Sequence, residues 1–209
     1  MQRSRFLLLL VIGLFLSTLA LADSVVDMKL LGTGTNRMDG YYTYPYYFSI
    51  NGGASTPLMC DSFNNHVSVG ESWTAHVTGL LSGKGYFGNE LMNYKAAGII
   101  FLDVMNGTVS ATVGNMAIWN LFAPGASSNS SVSSLDGSAL SLAHHMNSSY
   151  FRGLVLYTPV GGSPGHGPQE YIGLRGQVLT APEPGSMFLL GTGLMGIAGM
   201  VRRKTRRQS

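Results

Sequence analysis

Apolar and polar positions alternate along much of residues 23–88, the mark of half-buried strands. A short apolar stretch at residues 28–31 opens the series. Residues 40–50 read GYYTYPYYFSI. This run of β-formers is broken by Pro45, which cannot donate to a ladder, so it predicts an edge strand or two short strands. Asn51-Gly52-Gly53 is a turn signal, and residues 57–63 are the expected hairpin partner. Residues 67–80 alternate again, as V-S-V and then W-T-A-H-V-T-G-L. Residues 79–88 are glycine-rich and predict a loop.

The period then changes. In residues 89–106, NELMNYKAAGIIFLDVMN, helical spacing links Leu91, Tyr94, Ala97, Gly98, Phe101, Leu102 and Met105. Residues 109–122 repeat the pattern and stop before Ala123-Pro124-Gly125. A third helix is predicted over 134–146, with Leu135, Ala139, Leu142 and Met146 on one face. Strand patterns return at 153–157 and 170–179, around a loop at 161–168 (GGSPGHGP). Strands, then helices, then strands predict an α+β fold: one β-rich domain with a central segment of two to three helices.

The two chain ends follow different rules. Residues 1–22 begin with Arg3 and Arg5, continue through an apolar run, and close on Ala20-Leu21-Ala22. That is a secretory signal peptide with the small-x-small site of signal peptidase, cleaved before Asp23. At the other end, Pro182-Glu183-Pro184 precedes an apolar stretch at 187–201 and a basic tail. The stretch would span about 22 Å as a helix, short of the roughly 30 Å hydrocarbon core. Its four glycines suit close packing in a membrane, and the basic residues after it belong on the cytoplasmic side. The predicted division is therefore 1–22 signal peptide, 23–180 exported domain, and 181–207 tail with a transmembrane helix at 187–201.

This division changes the charge picture. The whole chain is +3, but residues 23–184 hold six Lys and Arg against ten Asp and Glu, a net charge of −4. Nucleic-acid binding needs clustered cations, so no nucleic-acid partner is expected.

The Pro-Glu-Pro triplet, the short glycine-rich span and the Arg-rich end together resemble the PEP-CTERM sorting signal of Gram-negative bacteria that make exopolysaccharide. The resemblance covers residues 181–207. It implies that exosortase, a membrane-embedded cysteine protease, recognises Pro182, Glu183 and Pro184 and processes the chain during export. Some ice-binding proteins carry the same kind of tail. The implied course is a membrane-anchored precursor at the inner membrane, then the cell surface or extracellular matrix, with exopolysaccharide as a partner. Physically, the two prolines hold the backbone extended, a form that a protease can grip.

Cys60 is the only cysteine, so no intramolecular disulfide can form. Met59-Cys60-Asp61 and Gly114-Asn115-Met116-Ala117-Ile118-Trp119 resemble the thioester domain of bacterial surface adhesins. In that family a cysteine thiolate attacks a glutamine carboxamide and expels ammonia, leaving an electrophile that an amine opens. Here asparagine stands in the glutamine position and is one methylene shorter. Cys60 and Asn115 therefore read as a degenerate thioester pair, and Trp119 as a core anchor.

Little else selects a chemistry. The histidines (His66, His76, His144, His145 and His166) have no metal-ligand spacing, and His66 and His76 are expected to face solvent. Gly32-Thr33-Gly34 and Gly83-Lys84-Gly85 read as turns. No nucleophile-elbow or phosphate-loop pattern occurs, so no catalytic residue, metal or cofactor is expected. The tyrosines Tyr41, Tyr42, Tyr44, Tyr46 and Tyr47 offer an aromatic surface for sugar stacking. Asn106, Asn129 and Asn147 begin glycosylation sequons that read as incidental in a bacterium. The combined expectation is a non-enzymatic exported surface or matrix protein. Its alternatives are a covalent adhesin using Cys60, or a carbohydrate- or ice-binding module.

Overall fold

The computed structural model describes residues 24–177. The signal-peptidase site (Ala20, Ala22, Asp23), the Pro182-Glu183-Pro184 triplet and the span at 187–201 lie outside the described residues. Two compact units divide the chain, Met1–Gln177 and Val178–Ser209, and every described residue belongs to the first.

Among the described residues, eight strands and three α-helices follow in chain order. They are β1 (Ser24–Thr33), β2 (Arg37–Met38), β3 (Tyr41–Tyr42), β4 (Tyr46–Ile50), β5 (Thr56–Cys60), β6 (Ser72–Gly79), α1 (Leu91–Met105), α2 (Ala111–Phe122), α3 (Ser130–His145), β7 (Leu154–Pro159) and β8 (Tyr171–Leu174). Six strands close an antiparallel barrel in the order β1-β4-β5-β8-β7-β6, and β2 and β3 form a separate hairpin. The strand-helix-strand order agrees with the α+β expectation. Closure does not follow from local pattern. It needs β1 to pair with both β4 and β6, and β5 to pair with β8 more than a hundred residues later.

Alternation sorts the barrel residues. Val26, Met28 and Leu30 of β1 are buried, with exposed neighbours between them. Phe48, Trp73 and Tyr171 pack together in the barrel, with Phe48 and Tyr171 centroids 4.6 Å apart. β7 is buried along its whole length, because helices cover its other face. Gly98 of α1 permits that contact. A Cβ there would come within 2.7 Å of Leu80 and 3.1 Å of Leu154. Gly114 does the same between α1 and α2, where a Cβ would meet Val104 at 2.2 Å.

The helix ends explain the three sequons. Asn129 caps α3 by accepting from Ser131 N at 2.9 Å. Asn147 caps the following 3-10 turn through Ser149 N, and Asn106 is the C-cap that follows α1, before Gly107 at φ 76°. Ser110 caps α2.

Several boundaries and faces differ from expectation. β1 is ten residues long and takes in Gly32-Thr33, read above as a turn; pairing with Tyr47 and Tyr46 of β4 sustains it there. β6 begins at Ser72 rather than near residue 67. β8 ends at Leu174 and gives way to a 3-10 turn at Arg175–Gln177. α3 starts four residues earlier than predicted, at Ser130. It buries Val132, Asp136, Ala139 and Ala143, while Leu142 is 51% exposed. The face turned because Asp136 accepts a hydrogen bond from Asn120 Nδ2 at 2.6 Å. An aspartate thus occupies a position that pattern reading gives to a leucine.

Among the described residues no helix is long and apolar enough to cross a membrane.

Candidate functional site

β5 ends on Cys60, and Asp61 continues its pairing with the next strand through Asp61 N to Glu170 O. Neighbouring strand residues face opposite ways, so the two side chains enter different environments. Cys60 is fully buried opposite Tyr171. Its sulfur contacts the Ser62 carbonyl at 3.8 Å. Burial pushes the thiol well above its ordinary value, and Asp61 adds to the rise. The Trp119 indole and Ser62 oppose it only in part. Trp119 Nε1 has no partner in full hydrogen-bond geometry, so its pull on the sulfur is a weak one. A thiol held in this way is a poor nucleophile.

Asn115, on α2, does reach Cys60. Its Nδ2 donates to the Cys60 carbonyl oxygen at 2.9 Å, and its Oδ1 accepts from Tyr44 N at 2.8 Å. Both ends of the amide are therefore engaged with main chain, and Asn115 ties α2 to β5 and to the segment entering β4. Trp119, one turn along, is 2% exposed and belongs to the core as expected.

On the other face lies a buried acid pair. Glu170 accepts from Tyr86 N at 2.9 Å, from the Tyr94 hydroxyl at 2.7 Å, and from the Thr158 hydroxyl. Its own amide donates to Ser62 Oγ at 2.7 Å. Neither Asp61 oxygen receives a hydrogen bond from a protein donor. Glu170 is the neighbouring acid, and burial of the two together favours the protonated form of each. Burial raises the Asp61 pKa well above the usual carboxylate range, and the Glu170 charge and hydrogen bond raise it further. Burial also raises Glu170, but its donors, Thr158 first, hold it back.

Beside Cys60, the end of the barrel opens into a groove of about 260 Å³. Tyr41, Phe63 and Trp119 form one aromatic wall, with centroids 4.9 Å apart for Tyr41 and Phe63 and 5.3 Å for Phe63 and Trp119. Tyr42 and Tyr46 complete it, and His66 and Gln169 bring polar groups. The β2–β3 hairpin carries Tyr41 and Tyr42, each more than 40% exposed. Asp39 and Gly40 make its turn at φ 54° and 85°, as a tight two-residue hairpin requires. The Arg37 guanidinium covers one face of the Tyr42 ring, 3.8 Å from its centroid. The tyrosine cluster is thus divided: Tyr41, Tyr42 and Tyr46 line the groove, while Tyr44 and Tyr47 do not.

His66 is exposed in the groove, as expected. His76 is only half-buried on β6, where the register pairs it with Thr158 and so puts it on the sheet face that carries Glu170 and Asp61. His144, His145 and His166 are exposed. Among the described residues no group of three His, Cys, Asp or Glu converges on one point. Pattern reading missed Phe63, Gln169 and Glu170. An acid inside an apolar strand run, QEYIGL, was the available signal for Glu170, and Asp-Gly between short runs was the signal for the hairpin.

Neither curated proteins nor solved structures give a match to this chain. Residues 180–204 match the PEP-CTERM protein-sorting motif. They include the Pro182-Glu183-Pro184 triplet and the apolar stretch after it. The chain therefore carries a PEP-CTERM sorting signal, the mark of an exported protein that an exosortase sorts.

Proposed function

We propose that the chain is a non-enzymatic cell-surface or matrix protein that holds exopolysaccharide in the aromatic groove at one end of its barrel. The groove itself carries the reading. Sugar rings present apolar C–H faces that pack on aromatic rings, and their hydroxyls need polar groups at the margin. Tyr41, Tyr42 and Phe63 supply the first, and the exposed His66 supplies the second. The sorting motif supports it by sending the chain outward, where such a polymer is met.

A covalent adhesin has less behind it. Cys60 and Asn115 are adjacent, but the thiol is buried and held protonated, and both ends of the amide are bonded to main chain. An ice-binding role draws on the tail alone.

The test is titration of the full chain with exopolysaccharide from its host, followed by tryptophan fluorescence. Binding that weakens at least tenfold in Y41A and Y42A, with unchanged thermal melts, is the expected result. Binding that ignores both substitutions, or no binding, overturns the reading.

A further inference from the structure

A second cavity, of about 290 Å³, lies where β6 and β8 end and β7 begins. Its floor is apolar, from Leu80, Phe151 and Leu154, and Ser82 and Ser148 bring hydroxyls. Its rim carries Lys84, Arg152 and Arg175. Residues 23–184 hold only six basic side chains among ten acidic ones. Half of them line this one cavity, and no acidic residue does. Arg152 and Arg175 are exposed, and among the described residues neither guanidinium is engaged by a side chain. The Arg175 guanidinium lies over the strand end at Gly79, at ordinary contact distance from where a Cβ would stand.

Arg152 and Arg175 line one cavity with no acidic side chain beside them in its lining, and like charges so placed repel each other. An anion placed among them relieves that repulsion. The guanidinium fork suits an anion with two oxygens in a plane, and the apolar floor suits a ring rather than a bare ion. In a domain of net charge −4, this is where a negatively charged polymer could approach, because screening confines each charge to about 8 Å at physiological salt.

We infer that this cleft binds a carboxylate-bearing saccharide unit through Arg152 and Arg175. The inference rests on the matrix reading above but uses a different site. Strand register places the two at opposite ends of the barrel. Thr33, Tyr46, Leu58 and Tyr171 mark the groove end; Gly79, Val155 and Leu174 mark the cleft end. β8 joins them, with Gln169 just before it and Arg175 just after, six residues or about 20 Å of extended chain apart.

The experiment titrates the full chain, in detergent, with oligogalacturonate and separately with a neutral dextrin of equal length. The expected result is oligogalacturonate binding that weakens with salt and falls at least tenfold in R152A/R175A. That loss should be smaller in R152K/R175K and absent in Y41A/Y42A. An unchanged thermal melt in R152A/R175A excludes unfolding as the cause. Oligogalacturonate binding that survives R152A/R175A overturns the inference, and so does its absence from the wild-type chain. Loss confined to capture of phosphatidylglycerol vesicles makes the cleft a membrane contact and also overturns it. If only Y41A/Y42A leaves exopolysaccharide binding intact, the groove fails while the cleft stands.

Discussion

Cys60 and Asp61 are consecutive residues, both fully buried, with opposite surroundings. Cys60 faces Tyr171 inside the barrel, where the thiol needs little from its neighbours. Asp61 faces the layer beneath the helices, where Glu170, Tyr94 and Thr158 form a polar network. A buried thiol is close to a small hydrophobe, so its site tolerates change. A buried carboxyl is costly unless a proton or a donor compensates it. One strand therefore carries, side by side, a position of low stake and a position of high stake.

The largest break in this contrast is expected from Glu170→Ala. It strands the Tyr86 amide and the Tyr94 and Thr158 hydroxyls, at about 1–3 kcal/mol for each unpaired group. A loss of about 3–5 kcal/mol in urea unfolding is expected, and a loss below 1 kcal/mol would show that the network carries no stability. Asn115→Ala comes next. Removing one amide leaves the Cys60 carbonyl and the Tyr44 N–H unpaired, at a cost of about 2–3 kcal/mol, measured in the same way.

The acid pair sharpens the contrast through pH. Both carboxyls have folded pKa values above their unfolded ones, Asp61 the more so. The folded state then holds protons that the unfolded state has released. Their stabilisation is complete below the ordinary carboxylate range and is lost as pH rises through the folded values. Where one proton separates the two states, the slope is about 1.4 kcal/mol per pH unit. Asp136 acts in the same sense, since burial pushes its carboxyl up to about 6. Asp61→Asn keeps a donor for Glu170 and removes a titrating group. It should flatten the decline in melting temperature as pH rises above the ordinary carboxylate range; a decline as steep as in the wild type would show that Asp61 does not contribute to it. Cys60→Ala should do least, about 1 kcal/mol for a small buried group. The native thiol should resist labelling until urea unfolds the chain, and rapid labelling without urea would contradict its burial.

How far the sequence shows this follows from distance along the chain. The break at Pro45 and the turn at Asn51-Gly52 are local, and they separate β3, β4 and β5, although β5 ends at Cys60 rather than at residue 63. The helices were visible because their period was regular. Closure was not visible, because β5 and β8 meet across 110 intervening residues and neither carries a mark of the other. The acid pair stayed hidden for the same reason. Asp61 reads as an ordinary strand-end residue until Glu170 is placed beside it. At α3 the pattern misled, since it assumed an apolar face and the protein buried Asp136 there. Asn115 contacts the Cys60 carbonyl and not its thiol, a main-chain tie that the resemblance to a thioester pair does not describe.

The placement of Cys60 also sets a kinetic problem. An exported chain folds where thiols meet oxidants, and this thiol is shielded only once the barrel has closed around it. Closure depends on strand pairs far apart in sequence, which are slow to form. The time available for Cys60 to be oxidised, or to link two chains, is therefore the time the last strand takes to reach its neighbour. Variants that delay the pairing of β8 with β5 would accumulate disulfide-linked dimers even where their final stability is unchanged.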